Sequence, residues 1–142
     1  MPMSETLADS ILNTNLTTGN RYLWLHTDDP GADGSADPAQ STAGSTEAIH
    51  RERVTFGSPT NDTGFASEQG RKVLMSLANV AWTSEEIDPG QVVKYFSLWT
   101  SSGTGGTVIF MSSMTSQEVS NDGVTVAQNA IEVAIEIFKK SA

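Results

Sequence analysis

The stretch Arg21-Tyr-Leu-Trp-Leu-His-Thr-Asp-Asp-Pro-Gly31 decides the fold, because an apolar strand there runs directly into a turn and a polar segment. Successive side chains of a β-strand point to opposite faces of the sheet. The two faces of this strand carry Leu23 and Leu25 on one side and Tyr22, Trp24 and His26 on the other. With apolar groups on both faces, the strand is predicted to be covered on both sides.

A long polar loop follows this strand. Residues 28–45 are rich in Asp, Gly, Ser, Ala, Pro and Thr and show no periodicity. Loops of this length are uncommon inside a small domain unless they are functional or mobile. We therefore expect residues 28–45 to form an arm or a contact loop.

A short helix is predicted before the strand, within residues 1–13. Leu7, Ile11 and Leu12 recur at helical spacing behind Ser4, a favourable N-cap residue. The predicted helix is amphipathic and two or three turns long.

The rest of the chain shows β signals separated by turns. Residues 50–56 and 73–77 read as strands, and the second is expected to stay extended through Trp82. Residues 92–99 and 107–113 flank a Gly-rich turn and predict a hairpin. Seven or eight short strands with one helix in front predict a mainly β fold, an antiparallel β-sandwich or small jelly roll.

The C-terminal segment allows two interpretations. Its large apolar residues fall at every second position, as in a strand whose core-facing residues are Ile131, Val133, Ile135 and Ile137. A helical stripe also fits, since Glu, Ala and Lys are good helix formers. The strand is the favoured prediction.

Composition and charge exclude several classes of protein. The 142 residues suit a single domain spanning 1–142, and 8 Lys+Arg against 17 Asp+Glu give a net charge of −9. This charge repels nucleic acid and anionic membranes, so neither is expected as a partner. The absence of cysteine removes disulfides, thiolate catalysis and sulfur-ligated zinc.

No set of residues predicts catalysis, a metal or another cofactor. His26 beside Asp28 and Asp29 would suit a metal or a general base, but a strand-end histidine next to a turn is the favoured interpretation. A calcium loop beginning at Asp29 fails at its third and twelfth positions, Gly31 and Gln40. The aromatic residues could stack on sugar or bases, although core packing is their commoner role. We expect a protein that is not an enzyme.

Five short motifs follow one another along the chain. They are Leu23-Trp-Leu-His-Thr-Asp-Asp-Pro-Gly31, Val54-Thr-Phe-Gly-Ser-Pro59, Ala81-Trp-Thr83, Val93-Lys-Tyr-Phe-Ser-Leu-Trp99 and Gly105-Gly-Thr-Val-Ile109. Their order resembles small virion proteins of tailed bacteriophages, common in phages of actinobacteria and described as capsid decoration, minor capsid or minor tail proteins. The resemblance covers nearly the whole chain, although residues 85–90 and the C-terminal tail depart from it.

The resemblance implies a β-sandwich without catalysis on the capsid exterior. The expected function is capsid decoration, with a homotrimer bound to the major capsid protein and stabilising the head. A minor tail or tail-fibre-associated protein is the alternative. Expected contact residues come from the N-terminal segment, the long loop, a charged strand and the C-terminal tail. They are Leu7, Ile11, Asp28, Asp29, Asp33, Arg51, Arg53, Lys139 and Lys140.

Overall fold

A computed structural model describes residues 4–40, 50–61, 69–103 and 105–138 of the chain. The chain divides into two compact units whose segments alternate along the sequence. The helix unit comprises Met1–Gly19, Thr55–Ala78 and Gln128–Ala142, and the sheet unit comprises Asn20–Val54 and Asn79–Ala127. The single domain expected for residues 1–142 stays a prediction.

Strands dominate the described residues, and every strand pair is antiparallel. The elements in chain order are α1 (Glu5–Leu12), a π-helical turn (Asn13–Thr17), β1 (Arg21–His26), β2 (Glu52–Val54), β3 (Thr60–Asn61), β4 (Gln69–Met75), β5 (Val80–Trp82), β6 (Val92–Trp99), β7 (Val108–Glu118), β8 (Val124–Val126) and β9 (Glu132–Phe138). The predicted mainly β class with a short N-terminal helix is confirmed. The antiparallel sheets are consistent with the expected β-sandwich.

Helix α1 begins as predicted, and its buried face agrees only in part with the predicted stripe. The Ser4 side chain accepts a hydrogen bond from the Leu7 backbone N–H at 3.3 Å, which satisfies one of the free donors of the first turn. Ala8, Leu12 and Leu16 are buried, whereas Leu7 is 50% exposed. Leu12 of the predicted stripe is buried, Leu7 of that stripe is exposed, and the small Ala8, which the stripe omits, is fully buried.

The sheet of the helix unit has the order β3-β4-β9, and α1 packs against β9 and β4. Strand β9 pairs with β4 along its length, so the strand interpretation of the C-terminal segment is confirmed. Ile131 and Val133 are buried as predicted. The side chains of Ile135 and Ile137 lie outside the described part of the chain.

The larger sheet of the sheet unit has the order β2-β1-β6-β7, and β5 pairs with β8. Strand register places Leu23 and Leu25 with Phe96 and Leu98 on one face of this sheet. The opposite face carries Trp24, His26, Ser97 and Trp99. All eight residues are buried, so the predicted double coverage of β1 is confirmed.

Two other predictions on the strands have different outcomes. The β6–β7 hairpin is confirmed, and β7 extends further than predicted, to Glu118. The expected continuous extension from residue 73 to Trp82 is wrong, because β4 ends at Met75 and β5 belongs to another sheet. Within the described ranges, no helix is long and apolar enough to span a membrane.

Candidate interaction surface

His26 is fully buried at the end of β1 and takes part in a directed chain of hydrogen bonds. Its Nδ1 lies 2.8 Å from the Ala36 carbonyl oxygen, which can only accept, so Nδ1 carries the proton. Nε2 then accepts from the Ser97 hydroxyl at 2.7 Å. The same hydroxyl oxygen accepts from Trp99 Nε1 at 2.7 Å. With a neutral imidazole, both ring nitrogens of His26, the Ser97 hydroxyl and Trp99 Nε1 all have a hydrogen-bond partner.

Electrostatics favour the same protonation state. Burial lowers the pKa of His26, and the charge of Arg51 lowers it further, against the raising effects of the Ala36 hydrogen bond and Asp37. A buried imidazole whose two nitrogens are both engaged has no lone pair for a metal and no access to a substrate proton. The favoured interpretation of His26 as a structural residue agrees with this environment.

The acidic residues of the long loop hold their own turns. Asp28 accepts from the Asp29 backbone N–H at 2.8 Å, and Asp29 accepts from that of Gly31 at 2.9 Å. Asp33 accepts from the Ser35 backbone and hydroxyl, which lower the pKa of its carboxyl. Among the described residues no group of three or more His, Asp or Glu could hold a metal ion.

Arg51 has a buried position that the sequence did not reveal. It is 7% exposed, and its guanidinium carbon lies 4.5 Å from the Trp24 ring centre and 3.8 Å from that of Trp99. Nη1 donates to the carbonyl oxygens of Ser101 at 3.1 Å, Gly103 at 2.7 Å and Gly105 at 3.3 Å. Burial lowers the pKa of Arg51, but an arginine stays protonated in proteins. The positive charge is stabilised by two aromatic faces and a ring of carbonyl dipoles.

These side chains form one anchoring cluster, which we define as Trp24, His26, Arg51, Ser97 and Trp99. The cluster holds two loops against the larger sheet. His26 fixes the 28–40 segment at Ala36, and Arg51 fixes the 100–107 loop of the β6–β7 hairpin. Rigidly supported loops are the usual carriers of binding function.

Residues 28–40 also pack along the sheet through their backbone. Thr27 N–H donates to Asp37 at 2.9 Å, and Ala39 N–H donates to Leu25 at 2.9 Å, so the segment continues the sheet edge beyond the end of β2. Gly34 has a φ of +75° and lies against Val108 and Trp99, where a methyl group would contact the Val108 side chain. Much of the predicted contact loop is therefore ordered by long-range bonds.

The predicted contact residues occupy different positions. Asp28, Asp29, Asp33 and Arg53 are exposed on the sheet unit, while Leu7 is half exposed and Ile11 partly buried on the helix unit. Arg51 does not share the exposure of Arg53, because its guanidinium is enclosed by the anchoring cluster. Lys139, Lys140 and residues 41–45 lie outside the described residues.

The aromatic rings are mainly part of the interior. Trp24, Trp82, Trp99, Phe56 and Phe96 are all buried, which confirms the core-packing interpretation for them. Trp82 Nε1 donates to the His50 carbonyl at 2.9 Å. A stacking platform for sugar or bases would need exposed ring faces, which these five residues do not offer.

The sequence matches a protein-family model over most of its length. The family model described as podophage GP4 fiber I protein gp80 matches residues 2–135, a range that spans both units. The chain belongs to this family. It is therefore a phage virion protein of a fibre-protein family. This confirms the virion protein that the resemblance implied. No curated protein matches the chain.

Proposed function

We propose that the chain is a non-catalytic structural subunit of the tail-fibre apparatus of a tailed phage. The observation that carries the proposal is the fibre-family match over residues 2–135. This match favours the tail-fibre alternative over capsid decoration, which rested on the resemblance alone. The homotrimer and the contact with the major capsid protein belong to the capsid-decoration alternative and stay predictions of that resemblance.

The anchoring cluster supports a structural role. Its histidine and arginine are both buried, and each bonds a loop of the sheet unit. A fibre subunit needs loops that keep their shape, because disordered contact segments lose conformational entropy at each interface. In this proposal, the 28–40 and 100–107 loops meet neighbouring virion proteins, with Asp28, Asp29 and Asp33 contributing negative charge.

Fractionation of particles tests the assignment. Tail-less heads and complete virions of the same phage would be purified in parallel, and the chain would be quantified in both by mass spectrometry, with the major capsid protein as the internal standard. We expect the chain in complete virions and its loss from tail-less heads. Equal amounts per capsid protein in both fractions would overturn the fibre assignment in favour of decoration.

A further inference from the structure

Strand β7 forms one edge of the four-stranded sheet. Among the described strands, it pairs with β6 alone. An edge strand presents a row of backbone donors and acceptors that can pair with another chain, and proteins usually block such edges with charges, proline or short strand length. The opposite edge of the same sheet follows this rule, because β2 has three residues and two of them, Glu52 and Arg53, are charged.

Apart from two irregularities in its register with β6, strand β7 has almost none of this protection. It is the longest strand of the described chain, at 11 residues, and it contains no proline and a single ionisable residue, Glu118, at its end. Ile109, Phe110, Met111 and Met114 are only partly buried. Two register shifts against β6 fall on either side of Phe110–Ser113, so this stretch carries the regular part of the open edge.

The charge distribution favours a second copy of this chain as the partner. Two copies of a chain with a net charge of −9 repel each other at most surfaces. Residues 108–117 carry no ionisable group, so two identical copies can meet there without opposing like charges. An antiparallel strand edge is also self-complementary about a two-fold axis, since each copy offers the other the same alternating donors and acceptors.

We propose that a second copy of this chain pairs with β7, antiparallel and centred on Phe110–Ser113. Pairing joins two four-stranded sheets into one continuous sheet. It also covers the partly exposed apolar side chains along β7, which supplies the hydrophobic contribution to association. The interface does not depend on whether the chain sits on the fibre or on the head.

Lysine substitutions at the centre of the interface test this proposal in the full chain. Ser112 and Ser113 are both exposed, so S112K/S113K is expected to keep the fold. The wild-type chain should sediment at twice its 15.1 kDa mass, and the variant at one chain mass. The added lysines lower the net negative charge and so reduce the overall repulsion between two copies, which would favour association. If the variant dissociates, the cause must therefore be its effect on the β7 edge.

The matched control is S10K/S58K, which adds the same charge at two exposed serines outside β7 and should remain a dimer. Circular dichroism would confirm that both variants are folded. A monomeric wild-type chain, or an oligomer that survives S112K/S113K, would overturn the proposal.

Single cysteines give an independent test, since the native chain contains none. Single cysteines placed in turn at Phe110, Met111, Ser112 and Ser113 should yield a disulfide-linked dimer at the position on the two-fold axis, because only a residue on that axis directly faces its own copy. Ser58→Cys, at an exposed position outside β7, should stay uncrosslinked. Failure of all four β7 cysteines to crosslink in a dimeric protein would place the interface elsewhere and contradict the proposal. The result of particle fractionation does not depend on this interface. The tail-fibre assignment and the β7 interface can therefore be refuted independently.

Discussion

Arg51 and Arg53 are two residues apart and have opposite environments. The guanidinium of Arg51 lies between two tryptophan rings and bonds three carbonyl oxygens, whereas Arg53 is exposed. A lysine at position 51 keeps the charge and loses the planar group that fits this space. We expect Arg51→Lys to lower the free energy of unfolding by about 1–3 kcal/mol.

Chemical denaturation followed by tryptophan fluorescence measures this loss, since Trp24 and Trp99 contact the guanidinium. Arg53→Lys is the control and should change the unfolding free energy by less than about 0.5 kcal/mol. Equal effects of the two substitutions would mean that the Arg51 contacts contribute no stability.

His26 gives the fold a specific dependence on pH. Burial lowers the pKa of its imidazole, so the unfolded chain binds its proton more readily than the folded chain. The stability that depends on neutral His26 is present above the unfolded pKa of about 6.5 and is lost as the pH falls towards the folded pKa. His26→Gln lowers the free energy of unfolding at neutral pH, but it removes the part of the stability loss at acid pH that comes from protonating His26.

The measurement is the difference in unfolding free energy between wild type and His26→Gln at several pH values from about 7.5 to about 5. Glu52 acts in the opposite direction, because burial and its hydrogen bond with Glu86 raise the pKa of its carboxyl. Taking the difference between the two proteins cancels this contribution. A constant difference between wild type and His26→Gln across this pH range would contradict the neutral imidazole.

At the scale of elements, the turn between β7 and β8 depends on a glycine. Gly123 has a φ of +96°, and a methyl group there would overlap the backbone of Trp82 on the neighbouring strand β5. Gly90 has a similar φ of +90° and open space around it. Alanine at either position has the free-energy cost of a left-handed backbone conformation, but only at position 123 does it also overlap a neighbouring strand. Comparing the two substitutions therefore separates these two costs.

We expect Gly90→Ala to lower stability by about 1 kcal/mol, from the left-handed backbone conformation alone. Gly123→Ala should cost several times more or prevent the β5–β8 pairing. Thermal unfolding of the two variants gives the comparison. Equal losses in stability would show that β5 can move away from the turn without cost.

Local periodicity predicted most of the elements. Alternation of apolar residues gave β1, the β6–β7 hairpin and β9, because burial of a sheet face has a period of two. The break between β4 and β5 was missed, since residues 73–82 contain no glycine or proline to mark where the chain leaves one sheet for another.

The anchoring cluster could not be predicted, because its bonds join distant positions. Arg51 lies next to Glu52 and Arg53 in the sequence, and such a run is typical of a solvated strand face. Its partners, the carbonyls of the 100–107 loop, are backbone groups without any sequence signature. The available signals were two tryptophans, Trp24 and Trp99, on predicted strands and Arg51 on another, which indicate a cation–π contact only when the pairing of strands is known.

For the whole molecule, the negative charge sets how self-association responds to salt. If two copies meet at the uncharged β7 edge, salt screens the repulsion between the rest of their surfaces. We expect the dimer to become tighter when NaCl is raised from about 0.05 M to about 0.5 M. Sedimentation equilibrium measures the change, and weaker association at high salt would indicate an interface of opposite charges instead.

A fibre subunit also has to be located in the particle. Cryo-electron microscopy of purified virions, with the helix unit and the sheet unit fitted as separate bodies, tests the central assignment most directly. The account predicts density for both units in the tail-fibre apparatus and none on the capsid lattice. Density confined to the outer surface of the capsid would contradict it.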